Sequence, residues 1–219
     1  TSVENTDLES VFNALAWLPE GHSLKEKLPR EVYESLMHKL VSSSQLASNV
    51  DEMKAWYAAF DYQIRWYVIK QKYTSENTLE SFIVDRARKK NISFSGLENM
   101  EQQVRIFDDL TNEQELSFVQ SVLNEKYTNS IMVEAQMDYW RTGNVEKFES
   151  SFLAFFEDYP NLEEPLLLRR NRNWTDKLQH LLEVEKGSYF AVVGMGHLVG
   201  ENSLLALLER RGSTVKRIQ

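Results

Sequence analysis

The residue types best suited to chemistry gather near the carboxyl end, in the run Ser188 to Gly212, SYFAVVGMGHLVGENSLLALLERRG. His197 stands there behind Gly194 and Gly196. An imidazole can ligate a metal or move a proton near neutral pH. Glycines beside it lack Cβ atoms and admit positive φ, so a ligand or metal can approach the backbone. Gly194 and Gly196 are therefore candidates for substrate binding. Arg170, in LRRNRNW, is the next candidate. On a helix, Leu167, Trp174, Leu178 and Leu181 share one face, and Arg170 falls within roughly 40° of Trp174 while Arg169 and Arg172 fall on the far side. A guanidinium on an apolar face needs a partner, either a core carboxylate or a substrate anion. Asn171 sits at the edge of that arc, placed to hydrogen-bond the same network. Glu98, which directly follows NISFSGL, is the third.

These side chains need elements to aim them. Tyr189 to Val193 is a β-branched and aromatic run that reads as a buried strand. A helix follows with Leu204, Leu205, Leu207 and Leu208, stopped by Gly212, and Thr214 to Ile218 reads as another strand. The span 188–218 is then a βαβ unit. Its helix would point its amino end, favourable to anions, at the glycine turn. Asn91 to Leu97 reads as a further strand with Glu98 at its carboxyl end, the alternative being a glutamate that caps the helix near Met100. Parallel neighbours would bring Glu98 and His197 to one crevice, with Arg170 facing the same hollow.

The rest reads as helical, over about residues 31–185. Leu8 to Leu18 carries a helical stripe, and Pro29 suits the first turn of a helix with Val32, Leu36 and Leu40. Asp51 is placed to cap a long helix running to about Tyr73, with Met53, Trp56, Tyr57, Phe60, Ile64, Tyr67 and Val68 as its core stripe. Asn77-Thr78 opens a helix with Leu79, Phe82, Ile83 and Ala87 inside and a basic carboxyl end. Thr111 to Gln114 is a capping box. Gly143 closes the helix over Ile131 to Trp140, Asn144 caps the next, and Pro160 ends that one.

A chain of 219 residues with 42% apolar content suits one domain with a bulky aromatic core. The net charge of −8, with no basic stripe, argues against nucleic acid as a partner. The absence of cysteine excludes disulfides, thiolate metal sites and a cysteine nucleophile. No apolar run is long enough to span a membrane. Neither a Gly-x-Ser-x-Gly elbow nor a phosphate loop occurs. The opening Thr-Ser reads as a trimmed or processed start, which tips the expected location towards export rather than the cytoplasm.

The run VVGMGHLVGENSLLALLERRGSTVKRI resembles the second Gly-x-x-His motif of the TraB/GumN (Tiki-like) family, and LPEGHSLKEKLPREVYESL resembles that family's linker and first outer helix. The resemblance implies an erythromycin-esterase/ChaN-like α/β fold with a small sheet and a large helical portion, here a single domain over 1–219 without its first strands. It implies a metal-dependent, peptidase-like hydrolase whose centre combines two Gly-x-x-His motifs, an acidic residue and an arginine. On that pattern Glu98, Arg170 and His197 would be catalytic, and a divalent metal would be held by His197 and Glu98. Gln103 matches a recurring family glutamine that would support Glu98 by a hydrogen bond. Ser203 stands where the family usually has glycine. Only one Gly-x-x-His is present, since Gly21-His22 lacks the spacing, so this chain is expected to be inactive or impaired by itself. One histidine does not make a zinc site. Sheet edges left open would favour a homo-oligomer. The substrate would be a peptide or small molecule. The other reading is a non-catalytic module that binds a peptide or partner, since some TraB-like proteins are associated with suppressing a peptide pheromone.

Overall fold

The computed structural model describes residues 8–42, 49–70, 78–184 and 187–218. These form two compact units, Thr1–Thr128 and Asn129–Gln219.

The first unit is a helical assembly. Its elements are α1 (Leu8–Leu15), α2 (Leu24–Lys27), α3 (Arg30–Ser42), a 3-10 turn at Val50–Glu52, α4 (Ala55–Arg65) continuing as a π-helical turn Trp66–Lys70, α5 (Leu79–Lys89), α6 (Met100–Asp108), α7 (Asn112–Leu123) and α8 (Glu125–Thr128). Its centre is α4 against α7, with α3 and α6 alongside. Ala58 and Ala59 are wholly buried and let the helix backbones approach. Trp56 stacks on Phe107 at 6.0 Å, Phe107 leans on Phe118 at 5.0 Å, and the Trp56 indole N–H donates to Asp108 at 3.2 Å. Part of the aromatic richness read from the sequence thus becomes a packed cluster in this unit, with the Trp56 indole N–H satisfied. Capping follows the expected chemistry at Thr111, whose hydroxyl accepts from the Gln114 amide while the Gln114 side chain accepts from Thr111 N–H.

The second unit holds α9 (Ser130–Thr142), α10 (Val145–Asp158), a 3-10 turn Pro160–Leu162, a π-helical turn Glu164–Leu168, α11 (Arg169–Val184), a 3-10 turn Met195–Leu198 and α12 (Leu204–Arg210). Gly143 closes α9 in the left-handed conformation at φ 68°, and the Asn144 side chain caps α10. α10 carries a ladder of rings, Phe148 on Phe152 at 5.7 Å and Phe152 on Phe156 at 5.5 Å.

The α/β expectation is corrected. Among the described residues there is no β-strand; the nearest thing is an isolated antiparallel bridge between Trp17 and Met53. The three runs read as strands, 91–97, 189–193 and 214–218, are irregular. β-branched and aromatic residues specify a strand only where a neighbouring strand offers ladder partners and a core to cover one face. Here Phe190 is 83% exposed, Ile92 57% and Ile218 84%, so these apolar runs are not buried. The 188–218 segment is coil, a 3-10 turn, a helix and coil, and not a βαβ unit.

Smaller differences have local causes. Asp51 does not cap a long helix: its carboxylate accepts the Lys25 amide at 3.1 Å, and α4 begins after Lys54. Residues 71–73 of that expected helix lie outside the described residues, as do Asn77 and residues 1–7. Leu79 and Phe82 are exposed, and α5 buries no residue.

Candidate functional site

The site is built on α11, the turn Met195–Leu198 and the Gly200–Ser203 turn, all within the second unit. The buried stripe of α11 and its approach is Leu167, Asn171, Trp174 and Thr175, at spacings of four, three and one. Asn171 and Thr175 are both 0% exposed. Asn171 is therefore at the centre of the stripe and not at its edge, and Arg170 is half-buried beside it. Sequence periodicity counted only apolar residues and so placed Asn171 at the edge, while it set Arg170 beside Trp174, where it stands.

His197 is buried, at 8% exposure, inside its 3-10 turn, where its N–H donates to the Gly194 carbonyl at 2.9 Å. Its ring packs on Trp174 with centroids 4.4 Å apart at 47°. Its Nδ1 lies 2.6 Å from Oδ1 of Asn171. The Asn171 amide nitrogen in turn donates to the Asn202 carbonyl at 2.9 Å, and the Asn171 carbonyl accepts from the Thr175 hydroxyl at 2.7 Å. The Arg170 guanidinium carbon stands 4.7 Å from the Trp174 ring centroid, in cation–π contact, and its Nη1 donates to the Leu166 carbonyl at 3.3 Å. Trp174, which sequence reading treated only as part of an apolar face, is thus the residue that touches both chemically capable groups.

The glycines divide their work. Gly196 has the Phe152 ring against it, and a Cβ there would overlap that ring. Gly200 uses its freedom, at φ 86°, to turn the chain into α12. Gly194 has φ −60°, open to any residue. The anion-binding helix end read from the sequence is modified by Ser203, whose hydroxyl accepts the Ala206 amide at 3.2 Å and so caps α12 from within the chain.

At the start of α11, Arg172 forms a two-pronged pair with Glu164, one prong being 3.1 Å. The hydrogen bond from Arg172 holds the Glu164 carboxyl below its ordinary value, and the same bond raises Arg172. Next to this region a hollow of about 450 Å³ is floored by Leu153, Phe156, Leu167 and Val199 and rimmed by Glu149, Glu157, Glu163 and Glu201.

Glu98 and Gln103 belong to the first unit. Glu98 is half-buried after a tight turn, where a Cβ on Gly96 would lie 2.5 Å from the Glu98 carbonyl oxygen. The cap of α6 is not Glu98 but Asn99, in a capping box with Gln102. Gln103 is exposed on α6. What the structure joins directly is His197, Asn171, Trp174 and Arg170. Among the described residues no three His, Cys, Asp or Glu side chains come together as a metal would require, so the donors in hand do not compose a metal shell by themselves. Among the same residues no helix is long and apolar enough to cross a membrane.

No curated protein and no solved structure matches the chain. The sequence profile of the TraB/PrgY/gumN family does match, over residues 2–217, and so takes in both units and every residue of the site. The chain belongs to the TraB/PrgY/gumN family.

Proposed function

We propose that the protein is a hydrolase of peptide-like substrates, in which His197 handles the reacting proton or serves as a metal ligand and Arg170 stabilises the developing oxyanion. The observation that carries this reading is the immobilised imidazole: a buried histidine bonded to a buried asparagine and packed on the same tryptophan that holds a guanidinium. A general base needs a fixed ring, and an oxyanion donor needs a fixed cation. A divalent ion would supply Lewis acidity when bound, and His197 would be a ligand to it.

The test is cleavage of a peptide library by the natural protein with and without added divalent ions, set against its His197→Ala form. Metal-stimulated cleavage that disappears with the histidine supports the reading. Equal cleavage in both proteins overturns it. The hollow beside the site favours a second reading, a binding module without turnover. That hollow is lined by Leu153, Phe156, Leu167 and Val199 together with four glutamates and Asn202, apolar and acidic groups that a peptide could engage. Peptide binding that survives a chelator, with no cleavage, is the result that selects it.

A further inference from the structure

The bonds around Asn171 determine which nitrogen of His197 carries its proton. The chain of reasoning begins at the backbone of Asn202. A carbonyl oxygen can only accept a hydrogen bond. Its neighbour on Asn171, 2.9 Å away, must therefore be the amide NH2 group. That fixes the orientation of the amide and leaves its oxygen facing the imidazole, 2.6 Å from Nδ1. An amide oxygen has no proton to give, so Nδ1 is the donor. The opposite flip would set the amide oxygen against the Asn202 carbonyl. At a side chain with 0% exposure, no water relieves that repulsion.

We propose that Asn171 is a positioning residue which holds neutral His197 in the Nδ1–H form and so delivers the ring's lone pair to Nε2. An unrestrained imidazole side chain favours the reverse form, with the proton on Nε2. Histidines that ligate metals or act as bases are commonly fixed in this way, the far ring N–H being donated to a neighbouring acceptor. The anchor is itself anchored. Arg210 donates to the Glu201 carbonyl at 2.8 Å and to the Asn202 side-chain oxygen at 3.4 Å, so the turn that carries the Asn202 carbonyl is tied to α12. The Thr175 hydroxyl holds the Asn171 main chain from the next turn of α11. The proton assignment stands without the hydrolase reading; only the use of Nε2 in chemistry rests on it.

The chain has four histidines, which makes the assignment observable. Protein labelled with 15N-histidine is followed by two-bond 1H–15N correlation at about pH 8, above the ordinary histidine range. His197 is identified by the signal lost in His197→Gln. The expected pattern is Nδ1–H, favoured by about tenfold or more, as one buried hydrogen bond to an oriented acceptor allows. Asn171→Leu should move the pattern towards Nε2–H, and so should Asn171→Ala, which removes the same amide. An Nε2–H pattern in the unaltered protein overturns the proposal, and so does an unchanged pattern in Asn171→Leu. Should Asn171→Leu not fold, the unaltered protein and Asn171→Ala still decide the matter, an unchanged pattern in Asn171→Ala again overturning the proposal. Absence of peptide cleavage would leave these spectra as they are, so failure of the hydrolase reading and failure of this one are told apart.

Discussion

Replacing Gly196 by alanine measures how tightly the histidine turn is seated on α10. An ideal Cβ at Gly196 would lie 2.7 Å from Cε2 and 3.0 Å from Cε1 of Phe152, and closer still to Cζ. Carbon atoms in contact settle at about 3.5–4.0 Å, so the ring edge would have to retreat by about 1 Å. The ring is not a loose end: it is stacked on Phe148 on one side and set against Phe156 on the other. Overpacking in such surroundings costs about 1–3 kcal/mol, and a ring held on two sides places this variant near 2 kcal/mol. With a urea slope of about 2 kcal/mol per molar, the denaturation midpoint should fall by about 1 M with the slope unchanged. Phe152→Leu in the same chain should recover part of the loss, which a double-mutant cycle reads as a favourable coupling of about 1 kcal/mol. A midpoint within about 0.2 M of the parent, or strictly additive single changes, would refute the argument that the two surfaces are in register.

Three further outcomes follow from other contacts. Ser203→Ala removes the cap of α12 and should cost about 1 kcal/mol by urea denaturation, with Ser203→Asp restoring most of it. Trp174→Ala removes the ring shared by His197 and Arg170 from a buried position, and a loss of about 3–5 kcal/mol is expected in the same measurement. Glu164 has its folded-state pKa depressed by the Arg172 hydrogen bond, so its contribution is complete above its ordinary value of 4.5 and is lost as the pH falls through the lower folded value. Both partners are half exposed, so Glu164→Gln should cost about 0.5 kcal/mol at neutral pH and nothing at the acid end of that window, as stability measured against pH will show.

The helical part was legible because its signals are local. Thr111 with Gln114, Gly143 and Asn144 act within a turn of where they stand, and each does what its residue type does in any helix. The strand readings failed for the opposite reason. A strand is defined by hydrogen bonds to another segment, and Tyr189 to Val193 carries no information about whether a partner lies beside it. The site was half legible. His197 and its glycines announced themselves by residue type and spacing. Asn171 did not, because a polar residue in a buried stripe breaks the apolar count by which the stripe is recognised, and its partner, the Asn202 carbonyl, has no signature in sequence. The helix periodicity itself was sufficient: Leu167, Asn171 and Trp174 are spaced as one face, and a reading that admitted Asn to the interior would have found the pair.

Ser203 occupies a position where the family resemblance leads one to expect glycine, and its hydroxyl already engages the amide of Ala206 at the head of a helix only seven residues long. That bond takes up one of the amides with which the main chain could cradle a phosphate or a carboxylate at this corner. On the proposed function, selection by charge would fall to Arg170, a planar fork lying over the Trp174 indole. In the proposed hydrolase a guanidinium would accept many oxyanions, and choice among substrates would then fall to the fit of their apolar parts.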